Sequence, residues 1–478
     1  MKDLMKKTMQ QPEKTASKIV LVSPPLQWEE NLRLSFQPPL NLLYLVSSLK
    51  ANNKEVELID TVSQRCSLDE TVTRVISSAA SIVGIPLYYA SLKNAFELVS
   101  RIRVVNREIQ FVAGGPCLTM EPEKMMLEGK FDFGITGEGE ITLLELLEAI
   151  ESHSNPENIP GLVLRNNDGI KLNPRREPIE NLDSLPFLDF SILNNDFYFS
   201  YQEKMNVPKT LFLNSSRGCS YKCKYCCTPV LWPGKIRRYS PVRLIDEIKY
   251  HRQRFPYTDI GFCDDSFFAD KKWLNEFIEL VSPLNIKYQC IGRADQLTPE
   301  MVKQLYDSGM NYIAFGVETG SSKRQAYLRK HLNLEALVSI MKELSKYAIK
   351  TKCFFMLGFP DETIEEMLET INLAAELKKN GMTFFSIFPV TVYPGTELEK
   401  EFPNHPFNSG LDAHLPEIIR DGLSVDMTNE ALFNSPYNAH LSHRELLNLI
   451  TFAWQQVESA SQTSIEELKS AISRSVAC

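Results

Sequence analysis

Short apolar runs that stop at Gly, Pro or Ser, each followed by a stretch of helical period, recur along most of this chain. Ile19-Val20-Leu21-Val22 ends at Ser23-Pro24-Pro25, and Val56-Glu57-Leu58-Ile59-Asp60 follows a helical stretch from about Leu40 to Lys50. Ile82 to Pro86, Gln110 to Pro116 and Phe133 to Glu140 continue the series, with helical period between them, as in Leu92 to Arg103. Strands alternating with helices build βαβ units and parallel sheets. Open parallel sheets bind ligands beyond the carboxyl ends of their strands, where these glycines and prolines fall. Residues 19–150 are therefore expected to form an open parallel Rossmann-like sheet. No G-x-G-x-x-G follows the first strand, so a dinucleotide site is not indicated.

The alternation resumes after residue 209. Strands are expected at Lys209–Asn214, Asp259–Cys263, Ile286–Cys290, Tyr312–Gly316, Thr351–Leu357 and Thr383–Pro389, with helical stretches between them. Six βα units are fewer than the eight of a closed barrel, which predicts a partial (β/α)6 barrel over 209–400 with its polar residues at the strand ends. Residues 151–208, rich in Asn, Pro and acids, read as a linker. Within it, Pro160–Arg165 and Ile170–Leu172 flank an Asn166-Asn167-Asp168-Gly169 turn and suggest a small hairpin. Residues 1–18 read as a flexible, Lys-rich tail without an apolar core, and 401–478 as a small helical region. In that region Leu446, Leu449, Ile450, Ala453, Trp454 and Val457 form one apolar stripe, expected to pack against the barrel. The whole is an α/β chain of two main domains, as 478 residues would suggest.

The first barrel strand leads into Cys219-Ser220-Tyr221-Lys222-Cys223-Lys224-Tyr225-Cys226-Cys227. Three thiolates at C-x3-C-x2-C on one loop suit a cubane iron–sulfur cluster, in which they hold three irons and leave the fourth open to a small molecule. Zinc would want a fourth ligand. Cys227 is awkward for the same metal and no His is near. Three buried free thiols are the remaining alternative. Cys227, Cys263, Cys290 and Cys353 read as core thiols.

With these residues in view, the span 209–400 resembles a radical SAM domain of the cobalamin-associated class. The triad carries the resemblance, with Gly316-Val317-Glu318-Thr319-Gly320, Gly358-Phe359-Pro360-Asp361-Glu362 and Tyr393-Pro394-Gly395-Thr396 at later strand ends. Residues 19–150 resemble the cobalamin-binding domain that precedes it, through Ser23-Pro24-Pro25, Pro38-Pro39-Leu40, Ala113-Gly114-Gly115-Pro116 and Gly137-Glu138-Gly139-Glu140. The D-x-H-x-x-G motif of methionine-synthase-like cobalamin domains is missing; the first histidine is His153, outside the domain. A protein imidazole on cobalt is not expected.

The resemblance implies three cofactors: a [4Fe-4S] cluster, S-adenosyl-L-methionine and cobalamin. Cys219, Cys223 and Cys226 would ligate the cluster, and Tyr225 would lie against adenine. Asp264 or Asp265 would hold the methionine amine, in place of the usual Gly-Gly-Glu. Glu318 and Arg293 are candidates for ribose and carboxylate contacts, and Gly358 for close approach to adenine. Ser23, Pro24, Gly114, Gly115, Gly137 and Glu138 would line cobalamin. The leading function is a methyltransferase acting on an unactivated carbon through a 5'-deoxyadenosyl radical and methylcobalamin. The alternatives are a radical ring-forming, ring-contracting or rearranging enzyme without net methyl transfer, and a cobalamin- or SAM-binding regulator whose catalysis has lapsed. A tRNA methylthiotransferase would need three further N-terminal cysteines, and only Cys66 and Cys117 lie there.

The resemblance further implies a small-molecule or lipid-like substrate and an electron donor such as flavodoxin or ferredoxin. A net charge of −8 argues against a broad nucleic-acid surface. No apolar run approaches the roughly 18 residues of a membrane span. Ten cysteines without a secretion signal suggest a reducing cytoplasm.

Overall fold

The fold is that of a computed structural model, which describes residues 18–25, 37–166, 169–204, 207–403 and 438–473. The tail before Lys18, and Asn167 and Asp168 of the expected turn, lie outside these residues. The chain divides into two compact units: residues 1–179 with 185–198, and residues 180–184 with 199–478.

The first unit is built on seven strands: β1 (Ile19–Ser23), β2 (Val56–Asp60), β3 (Ile82–Pro86), β4 (Gln110–Gly114), β5 (Phe133–Ile135), β6 (Leu162–Asn166) and β7 (Gly169–Leu172). Their order is β2-β1-β3-β4-β5-β6-β7. The first five strands are parallel, with Ile19 opposite both Val56 and Ile82. Every residue of β3 is buried, as are the first four of β1. That is why these runs are continuously apolar and not alternating: a parallel strand is covered on both faces. Helices Leu40–Ala51, Leu68–Ser77, Leu92–Val105 and Glu140–Glu151 provide the cover. Ser67 and Glu70 start the second of these with a capping box.

The expected hairpin is not a free piece of linker. β6 runs antiparallel to β5, with Phe133 opposite Leu164, and β7 pairs with β6. Leu162, Val163 and Leu164 are buried, so the edge strand β5 would be bare without them. The linker also holds a helix, Asn195–Lys204, that its weak periodicity did not announce. Tyr198 in that helix donates to Asp60 at the end of β2, 2.5 Å away.

The second unit holds β8 (Thr210–Leu213), β9 (Ser216–Arg217), β10 (Arg237–Arg238), β11 (Asp259–Phe262), β12 (Lys287–Gly292), β13 (Met310–Glu318), β14 (Lys350–Leu357) and β15 (Phe384–Pro389). Six of them form one parallel sheet in the order β15-β14-β13-β12-β11-β8. Sequential parallel order with two unpaired edges is a barrel left open, as six βα units require. Helix His443–Glu458 buries Leu446, Leu449, Ile450, Ala453 and Val457, and Trp454 meets Phe385 of β15 with ring centroids 4.4 Å apart. The apolar stripe thus packs on the sheet. Among the described residues no helix is long and apolar enough to cross a membrane.

Candidate cluster and cofactor sites

Antiparallel pairing of β9 with β10 pinches residues 218–236 into a loop just beyond the end of β8. The loop is pinned from two sides: Lys224 N donates to Leu328 O (3.0 Å), and Leu398 N donates to Lys224 O (2.9 Å). Cys219, Cys223 and Cys226 are free thiols and only half-buried, whereas Cys290 and Cys353 sit deep in the core. Burial pushes all three loop thiols up; Cys226 and Cys223 further raise Cys219, and Cys226 raises Cys223. Lys330 opposes this at Cys223 and Cys226. The backbone N–H of Thr228 points at Cys226 Sγ from 3.4 Å, the kind of donor that tunes a cluster sulfur. Among the described residues no group of three His, Cys, Asp or Glu side chains is placed to hold one metal ion. Three thiols on one loop can each take a different iron, so the donor set fits a cluster. Cys227 is pushed up to about 12 by burial, and Cys263 likewise.

Tyr225 packs edge-on to Phe359 at 6.3 Å, against the apolar cluster of Leu328, Val390, Val392 and Leu398. Burial, then Glu318, drives its hydroxyl well above the ordinary phenol range. Asp264 is not available to a ligand as expected. It is buried and accepts from Ser215 N (3.2 Å) and Ser216 Oγ (2.5 Å), clamping the base of the cysteine loop. Its neighbour Asp265 is exposed, lies near enough to raise Cys219 and Cys226, and accepts from Thr228. Arg293 is also largely engaged. It pairs with Asp295 (3.0 and 2.6 Å), donates to Lys330 O (2.8 Å) and lies over the Tyr221 ring, 3.9 Å from its centroid. It braces the cysteine loop against the turn at 329–331.

That turn was invisible in the sequence. Arg329 and His331 both take left-handed backbone conformations, with φ of 53° and 50°, on either side of buried Lys330. Lys330 Nζ reaches Glu318 Oε1 at 3.2 Å. Glu318 itself has φ 69°, and β13 slips register between Gly316 and Glu318. A non-glycine residue held there stores strain of order 1–3 kcal/mol, which the surroundings must offset. Gln325 does so: its amide donates to Val317 O and Thr319 O (2.8 Å each) while its oxygen accepts from Leu332 N (3.2 Å). Gly358 has φ 88°, and with Phe359 it donates to Glu362 Oε2 at 2.7 and 3.1 Å. A side chain at Gly358 would strain this turn.

In the first unit the 2-1-3-4-5 order of the parallel strands places its topological switch point between β1 and β3. Ser23 and Pro24 close β1 there, and Thr61 Oγ1 donates to Ser23 O at 2.8 Å. A Cβ on Gly114 would meet nothing within 4 Å, leaving an open approach to the backbone. Gly115, with φ 86°, is tight against Leu87, whose N and O would lie 3.1 and 3.2 Å from an added Cβ. Gly137 N donates to Thr119 Oγ1 at 3.1 Å. Glu138 is buried and accepts from Ile179 N at 2.6 Å, beside Arg175. His153 is exposed beyond the helix Glu140–Glu151.

Residues 213–374 match the radical SAM superfamily, and residues 33–147 match the B12 binding domain. An uncharacterized methyltransferase of Pyrococcus horikoshii is 27% identical over 385 residues, which is 80% of this chain and 82% of that protein. The cytidylyl-2-hydroxyethylphosphonate methyltransferase of Streptomyces wedmorensis is 23% identical over 418 residues, 76% of this chain and 77% of its own length. The solved cobalamin-dependent S-adenosylmethionine radical enzyme OxsB, with aqua-cobalamin bound, shares the fold. Its TM-score is 0.70 over 93% of this chain and 67% of that chain, at 17% identity.

Proposed function

Since the chain belongs to the radical SAM superfamily and carries a B12 binding domain ahead of the radical SAM domain, we propose that it is a cobalamin-dependent methyltransferase acting on an unactivated carbon. The observation that carries this reading is the loop of three half-buried thiols at the carboxyl end of an open barrel. When bound, the cluster with S-adenosylmethionine supplies a 5'-deoxyadenosyl radical, and the corrinoid carries the methyl group.

The chain's own residues have distinct tasks. Cys219, Cys223 and Cys226 would hold the cluster. Asp265, and not Asp264, faces the loop closely enough to hold an ammonium group. Glu318 and Lys330 present paired opposite charges beside the loop, suited to hydroxyls and a carboxylate. Tyr225 and the Gly358 turn offer an apolar surface for a base. Ser23, Pro24, Gly114 and Gly115 line the switch point of the first sheet, where a corrinoid would sit without a protein imidazole. An oxygen-labile cluster suits the reducing cytoplasm, with a low-potential donor such as flavodoxin or ferredoxin delivering single electrons.

Anaerobic purification with hydroxocobalamin and iron tests the reading. We expect one corrinoid and four irons per chain, and 5'-deoxyadenosine from S-adenosylmethionine under reduction. Cys223→Ala should lose the cluster's visible absorption and the cleavage together. A chain that stays corrinoid-free in excess cobalamin overturns the cobalamin assignment, and cleavage surviving in Cys223→Ala overturns the cluster assignment.

A further inference from the structure

The cysteine loop carries charge of the opposite sign to its chain. The protein has a net charge of −8, yet residues 217–238 contain Arg217, Lys222, Lys224, Lys235, Arg237 and Arg238 and no Asp or Glu. Some of this charge is already used. Lys224 pairs with Glu401 at 2.6 Å, and Arg329 of the neighbouring turn pairs with Glu397 at 2.7 Å. Burial raises the Cys223 thiol, and the cations that pull it back down are Lys330 and Arg293, both buried. Lys222 and Lys235 differ from all of these. Both are exposed, and among the described residues neither forms an ion pair.

Both lysines stand beside candidate cluster ligands. Lys222 immediately precedes Cys223. The pairing of β9 with β10 sets Arg237 opposite Arg217. A Cβ on Gly218, the residue before Cys219, would therefore lie 3.7 Å from Lys235 O and 3.4 Å from Trp232 Cβ. Trp232 is half-buried, its ring centroid 5.8 and 5.7 Å from Cζ of Arg217 and Arg237, and Pro233 and Gly234 after it are exposed. Trp and Arg concentrate at the centres of protein interfaces, and charges at the rim steer the encounter. The sign of this rim selects an acidic partner. Its place selects the kind of partner. Electron tunnelling falls steeply with distance, so whatever reduces a cluster on this loop must touch the protein beside the loop.

Resting on the function proposed above, we propose that Lys222, Trp232 and Lys235 form the docking site of a small acidic electron-carrier protein. Carboxylates of the carrier meet the two lysines. One electron leaves its reduced group for the cluster at each encounter, with no bond made or broken.

Calorimetric titration of the full-length, cluster-loaded protein tests this with two acidic carriers, a flavodoxin and a ferredoxin, and with basic cytochrome c as control. At least one acidic carrier should bind at about 20 mM salt and lose roughly tenfold or more in affinity at about 300 mM. Lys222→Glu with Lys235→Glu should weaken that carrier roughly tenfold at low salt and leave cytochrome c no weaker. Trp232→Ala should weaken it at both salt concentrations. Lys350→Glu, a reversal at the amino end of β14, should change nothing. Iron content and melting temperature check that each variant is folded. In stopped-flow reduction, the double reversal should slow bleaching of the cluster by the reduced carrier and not by reduced methyl viologen, a small cation that needs no docking. No binding by either carrier, binding unchanged by the double reversal, an equal loss in Lys350→Glu, or equal slowing with both reductants overturns the proposal. A protein that no reductant bleaches counts against the cluster, and the titration still decides the docking.

Discussion

Glu362 shows how one buried residue can serve the site at a cost. It is fully buried, and Oε2 accepts from the backbone N–H groups of Gly358 and Phe359. Among the described residues Oε1 has no hydrogen-bond partner. Burial pushes its carboxyl up to about 8, against the pull of Arg324. The folded protein therefore holds a proton that the unfolded chain releases near 4.5. Between those values the folded state binds more protons, so stability falls as pH rises through the window. Glu362→Gln cannot titrate. Its melting temperature should gain on the parent's steadily from pH 4.5 to about 8 and be level with it below; equal pH profiles would contradict the assignment. Other residues were legible only in part. The triad was visible in its spacing, which by itself left zinc and free thiols open. That Asp264 turns to Ser215 and Ser216 while Asp265 does not could not be read from two adjacent identical residues, since neighbours at a strand end point to opposite sides.

At the scale of elements, the strands were readable because burial on both faces leaves an unbroken apolar signature, as in β1 and β3. Helix starts were readable where a cap is written in adjacent residues, such as Thr363 with Glu366 and Ser442 with Glu445. The helix Asn195–Lys204 was not, because it is mixed in character and is held by long-range contacts such as Tyr198 with Asp60. The hairpin was seen as a hairpin, but its pairing partner, β5, lies some thirty residues away and cannot be deduced locally. The final helices allow a quantitative test. Leu449 is 0% exposed beneath the helix His443–Glu458, so Leu449→Ala should cost about 2–5 kcal/mol through lost burial and the cavity left behind. Urea unfolding should show the midpoint fall accordingly; a loss under about 0.5 kcal/mol would mean that the helix is not packed on the sheet.

Over the whole molecule, the two compact units carry separate candidate sites, thiols in one and a sheet switch point in the other. A triple variant, Cys219→Ala with Cys223→Ala and Cys226→Ala, should lose all its iron yet still take up hydroxocobalamin, measured by visible absorption after gel filtration. Loss of corrinoid uptake with retained secondary structure would place part of the cobalamin site on the cysteine loop. The sequence by itself determined the α/β class, the two repeating βα regions, the three-cysteine loop and the family resemblance, because periodicity, turn residues and thiol spacing are local properties. Only the tertiary structure decided the antiparallel edge at β6 and β7, the Glu318–Lys330 pair held by Gln325, and the approach of Lys235 to the cysteine loop at Gly218. Each of these joins residues from separate strands or turns, and strand register and side-chain direction arise only when the sheets form.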